Sequence, residues 1–223
     1  MESAGALAEL AVTAKQRRLT AGFVIVDGVY NTELTAPWDV LEHTLHHAPE
    51  QLGIEVLAVS PDGAPVTTAE GLRIFADHGF DDVPPLDILV VPSAEHSRDT
   101  DLDRKDLIDW VRTVGSRAPA ILSLCWGAFV LAEAELLENR ACTTFPSDYD
   151  TFAERFPHLD LRINVSFVHA GKVITSQGGA RSFDAAMFLV DRLYGREVAK
   201  RIGGGLILPW PPEDGTVPYL SSP

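Results

Sequence analysis

Apolar residues recur along this chain in two alternating patterns. Short continuous runs, rich in β-branched residues, occupy residues 21–27, 54–60, 87–91 and 120–124. Runs of this kind suit strands buried on both faces of a parallel sheet. Between them the spacing is helical. From Glu33 onward, Leu34, Trp38, Val40, Leu41 and Leu45 share one face, and Pro37 is expected in the first turn, where its missing N–H costs nothing. Leu107, Ile108, Trp110 and Val111 give residues 106–114 an apolar face. Phe183, Ala186, Phe188, Leu189, Leu193 and Tyr194 do the same for a long last helix that Ser182 is expected to cap.

Smaller elements complete the reading. Residues 66–68 and 72–74 read as a hairpin excursion, and residues 140–145 as a short strand. Ser147 is expected to cap a helix reaching Phe156. Residues 164–168 and 172–175 flank a turn at His169-Ala170-Gly171. Strands and helices alternate with short connections, which predicts an α/β fold: a doubly wound, mostly parallel sheet flanked by helices in a single domain. The expected division is an N-terminal extension at 1–20, the α/β domain at 21–205 and a proline-rich C-terminal arm at 206–223.

One stretch carries chemistry. The run Ala120-Ile121-Leu122-Ser123-Leu124 stops at Cys125, Gly127 follows, and helical spacing begins. This predicts a strand, a sharp turn bearing the cysteine, and a helix whose N-terminus faces the sulfur, an arrangement that favours thiolate. Ligands in such sheets bind at the carboxyl ends of the strands. Glu33, the loop at Ser93 and Cys125 each follow a strand or its turn, so all three are expected at that edge.

Composition narrows the function. A net charge of −14 over 223 residues argues against nucleic-acid backbones and anionic membranes as partners. The two cysteines, Cys125 and Cys142, form no Cys-x-x-Cys pair, so neither a disulfide framework nor a zinc cluster is expected. His43 and His47 share a helix face without a third ligand, and no metal or cofactor is expected. Lys15, Arg17 and Arg18 follow the first apolar stretch, the wrong order for a secretory leader, and no run approaches a membrane span. A reducing cytoplasm is the expected compartment, where a free catalytic thiol survives.

Three spaced motifs resemble the ThiJ/PfpI superfamily, which has the flavodoxin-like class I glutamine-amidotransferase fold. Glu33 with Pro37, Asp39 and Val40 resembles its opening helix. Cys125-Trp126-Gly127-Ala128 with Leu131, Ala132, Arg140 and Thr143-Thr144 resembles its nucleophile elbow, especially in the isonitrile hydratase branch. Thr175-Ser176, Gly178 and Ser182-Phe183 resemble its closing strand and helix. The resemblance implies a nucleophile at Cys125, a carboxyl at Glu33 that hydrogen-bonds the sulfur and shuttles protons, and a homodimer. Backbone N–H groups of Trp126 and of Ser93 or Ala94 are expected to form an oxyanion pocket.

The departures matter as much. Phe145 stands where many relatives carry a histidine, so a Cys–His dyad from that position cannot form. Trp126 is bulkier than the residues usual after the cysteine and is expected either to wall off the pocket or to stack on a flat substrate. His96, in the loop after the third strand, is a candidate to line the site. The expected activity is hydration or hydrolysis of a small electrophilic substrate such as an isonitrile. The alternatives are a thiol-based oxidative sensor, or a regulatory binding domain that has lost the chemistry.

Overall fold

Hydrophobic periodicity places the elements, and pairing in the sheet decides their limits. The structure is a computed structural model that describes residues 5–48, 52–212 and the backbone of 219–222. Helix α1 (Ala6–Thr13) lays Leu7 and Leu10 into the same core as the strands. Each such side chain contributes roughly 1.5–3 kcal/mol on burial. Strand β1 (Leu19–Val24) begins two residues before the apolar run expected at 21, because Leu19 pairs with Ile54 of β2 (Ile54–Val59).

Between them lie α2 (Asn31–Glu42) and the short α3 (Thr44–His47). Helix α2 starts earlier than expected, which puts Pro37 in its second turn rather than its first. Pro37 has no N–H to return to the Glu33 carbonyl, so the helix is loosened just below Glu33. Its N-terminus is supported from outside: Glu70 Oε2 accepts from Asn31 N at 3.0 Å. Glu70 sits in the loop between β3 (Val66–Thr67) and β4 (Arg73–Ile74), so the hairpin excursion braces the helix that carries Glu33.

The second half repeats the β–α rhythm. It runs through β5 (Ile88–Val91), α4 (Lys105–Arg117), β6 (Ala120–Leu124) and α5 (Gly127–Glu133). The short β7 (Ala141–Cys142), α6 (Tyr149–Arg155) and β8 (Asp160–Leu161) follow, with β7 and β8 paired apart from the main sheet. Then come β9 (Phe167–Ala170), β10 (Val173–Ser176), α7 (Arg181–Tyr194), α8 (Arg196–Gly205) and β11 (Tyr219–Ser222). The turn expected at 169–171 is displaced, since β9 carries His169 and Ala170 and the chain turns at Gly171, at φ 67°, and Lys172.

Two expected caps fail. Ser147 donates to Asp148 instead, at 2.9 Å. Ser182 lies inside α7, and its buried hydroxyl has no hydrogen-bond partner among the described residues.

The main sheet has the order β11-β9-β10-β6-β5-β1-β2. Strands β2, β1, β5, β6 and β10 run parallel to one another, and β9 pairs antiparallel to β10. The order reverses at β1, which leads to β2 on one side while β5 lies on the other. The crevice at such a reversal opens at the carboxyl ends of the strands. The tail, expected as an arm from Pro209, is described to residue 212 and again where β11 pairs with β9.

Candidate active site

Cys125 sits at the crest of the elbow between β6 and α5 with φ 54°, a left-handed backbone conformation. Holding a non-glycine residue there costs on the order of 1–2 kcal/mol. The surrounding packing enforces it. A Cβ on Gly127 would lie 2.1 Å from the Val91 carbonyl, so only glycine lets α5 start this close to β5. A Cβ on Gly178, itself at φ 86°, would lie 2.4 Å from the Cys125 Cβ. The Cys125 N–H donates to the Ser176 carbonyl at 2.9 Å, and Thr144 Oγ1 donates to the Cys125 carbonyl at 3.0 Å.

The thiol is 5% exposed. Burial pushes it up to about 12. The Ser93 hydroxyl and the Trp126 N–H pull it back, and the negative charges of Glu33 and Asp148 raise it further. Desolvation thus opposes the expected thiolate more strongly than the two nearby donors favour it. The Ser93 hydroxyl is itself buried and has no partner of ordinary hydrogen-bond geometry among the described residues.

Glu33 is 7% exposed and accepts from Gly179 N at 2.9 Å. Its carboxylate thus bridges α2 and the loop after β10. That bond goes to Gly179 rather than to the sulfur, yet Glu33 stays close enough to act on the thiol electrostatically. Glu33, Ser93, Trp126 and Cys125 are brought together. Ala94 is close by, but its N–H already donates to Ser97 Oγ at 2.9 Å, so it is no oxyanion donor. The His96 imidazole is exposed and faces Asp99 at 3.3 Å, outside this cluster. Phe145 stands at the rim, 37% exposed, edge-on to Trp126 at 6.5 Å.

Three site residues escaped the sequence reading: Tyr30, Arg98 and Asp148. The Trp126 indole N–H donates to Asp148 Oδ2 at 2.9 Å, and the Arg98 guanidinium lies 4.6 Å over the indole. Arg98 also pairs with Asp148, whose carboxyl the indole, Ser147 and Arg98 together hold below its ordinary range against the effect of burial. Tyr30 meets Trp126 edge-on at 5.8 Å, and burial together with the charges of Glu95, Cys125 and Glu33 raises its phenol. Arg98 and Asp148 are 50 residues apart in the chain, so no spacing rule could have joined them.

Among the described residues, no group of three or more His, Cys, Asp or Glu side chains is placed to hold a metal ion. Nor is any helix there long and apolar enough to cross a membrane.

Known proteins share this framework. The chain is 30% identical to an isonitrile hydratase of Pseudomonas putida over 202 residues, covering 90% of this chain and 83% of that one. It is 29% identical over 151 residues to the helix-turn-helix-type transcriptional regulator CdhR of Pseudomonas aeruginosa, covering 67% of this chain but 44% of the regulator. The crystal structure of Drosophila melanogaster DJ-1beta superposes with a TM-score of 0.74 at 20% identity, covering 86% of this chain and all of that one, a likeness of fold. Residues 20–191, which carry both Glu33 and Cys125, match the DJ-1/PfpI family, and the chain belongs to that family.

Proposed function

We propose that this protein is a cysteine-dependent hydratase acting on small electrophiles of the isonitrile type. The observation that carries the reading is the strained, buried Cys125 with the Glu33 carboxylate at the same sheet edge. Similarity over most of the chain to an isonitrile hydratase supports the substrate class.

The chemistry follows from a thiol that keeps its proton. The S–H bond adds across the terminal isonitrile carbon: an S–C and a C–H bond form, and Glu33 relays the proton from sulfur to carbon. The product is a thioimidate. Water then adds to the same carbon, with a proton passing to nitrogen. The C–S bond breaks, the thiol regains its proton, and an N-substituted formamide leaves. The Trp126 and Ser93 donors near the sulfur lie where negative charge gathers during both additions.

Incubation with n-butyl isocyanide, followed by mass spectrometry, tests the proposal. N-butylformamide should accumulate with the wild-type chain and not with Cys125→Ser. Absence of the formamide from the wild-type reaction would sink the reading.

A further inference from the structure

Trp126 is pinned from several directions. Its indole N–H is bound to Asp148, and Ser147 Oγ donates to the same carboxylate oxygen at 2.9 Å. The other oxygen takes the Arg98 guanidinium, which also covers the indole face. Tyr30 and Phe145 close on the ring edges. Asp148 is 3% exposed, so releasing the indole or the guanidinium would strip partners from a buried charge. Such a group is costly to move, and the ring it holds is correspondingly fixed.

The fixed ring belongs to the residue that directly follows Cys125 in the chain. Asp148 and Tyr30, which flank the indole, both interact electrostatically with Cys125. The Gly178 backbone packs so closely on the Cys125 Cβ and main chain that even a methyl group is excluded. Cys125 is thus confined by close-packed backbone at its Cβ and followed directly by a clamped indole.

We propose that the Arg98–Asp148 clamp on Trp126 sets the size limit at Cys125, admitting slender electrophiles and rejecting those branched next to the reacting carbon. The proposal rests on Cys125 being the nucleophile. Arg98 and Asp148 are positioning residues that act through Trp126.

Alkylation tests the clamp without any need for hydration. The full chain is treated at pH 9, in parallel, with iodoacetamide and with N-cyclohexylmaleimide. Modification of the Cys125 peptide is followed by mass spectrometry, and each rate is divided by that of N-acetylcysteine. In the wild type the normalised maleimide rate should be at least roughly tenfold below the iodoacetamide rate. Arg98→Met and Trp126→Ala should each raise the maleimide rate relative to the iodoacetamide rate by about fivefold or more, and Asp148→Asn, which keeps an acceptor for the indole, by less. A ratio that stays at the wild-type value in both Arg98→Met and Trp126→Ala overturns the proposal. So does a parallel rise of both rates, which marks general loosening.

A second arm compares n-butyl with tert-butyl isocyanide. If the alkylation ratio shifts as stated but neither isonitrile is hydrated, the clamp stands and the hydratase reading falls. If n-butyl isocyanide is hydrated but the ratio does not move, the clamp falls and the hydratase reading stands.

Discussion

Cys125 and Cys142 are both free and buried, and burial pushes both thiols up to about 12. By that measure they are the same residue. Their surroundings are not. Cys142 lies in β7, and beyond burial only the charge of Asp160 acts on its thiol. Cys125 sits in a left-handed conformation with the Ser93 hydroxyl and the Trp126 N–H at its sulfur, and with Glu33 and Asp148 within electrostatic reach. Burial alone does not mark a nucleophile. What separates the two is the imposed backbone strain and the polar groups gathered around one sulfur.

Substitutions sharpen this contrast. Cys125→Ser should lower isonitrile turnover by about a thousandfold or more, while Cys142→Ser should retain turnover within about twofold. Equal losses in kcat for the two variants would erase the distinction. Glu33→Gln, assayed the same way, should reduce kcat by roughly a hundredfold, because it removes the proton relay while keeping an acceptor for Gly179 N.

Gly178→Ala should destabilise the fold by about 2–4 kcal/mol in urea unfolding, because a methyl must fit against the Cys125 Cβ at a positive φ. The matching change at Gly179, whose Cβ would meet nothing within 4 Å, should cost less.

The smallest effect tests what the two cysteines share. Both thiols are raised from 9.0 to about 12 on folding. Above pH 9 the unfolded chain gives up these protons while the folded chain keeps them, so the unfolded state binds fewer protons and stability falls as pH rises. Each thiol should contribute a loss of about 1.4 kcal/mol per pH unit between those values. Denaturant unfolding between pH 8.5 and 10.5 should therefore show a shallower alkaline decline for Cys142→Ala than for the wild type. Identical slopes would mean that Cys142 keeps no proton advantage in the fold.

The framework of this comparison is legible in the residue order. The run ending at Cys125, the glycine at 127 and the carboxylate at Glu33 are local features, and the alternation of strands with helices brings them to one edge of a parallel sheet. Other parts were not legible for a common reason. The availability of the Ala94 N–H turned on the hydroxyl of Ser97, and the direction of the His96 side chain on Asp99. Pro37 was misplaced in its helix because Glu70, from a distant hairpin, supports an earlier start.

Periodicity and turn chemistry act over a few residues, so the sequence by itself determined the fold class, the elbow and the sheet edge that Cys125 and Glu33 share. Desolvation and long-range hydrogen bonding depend on which surfaces meet. Only the tertiary structure decided how strongly burial opposes ionisation of the thiol, and that Trp126 is held by an arginine and an aspartate far apart in the chain. Both are consequences of packing, which no short window of sequence contains.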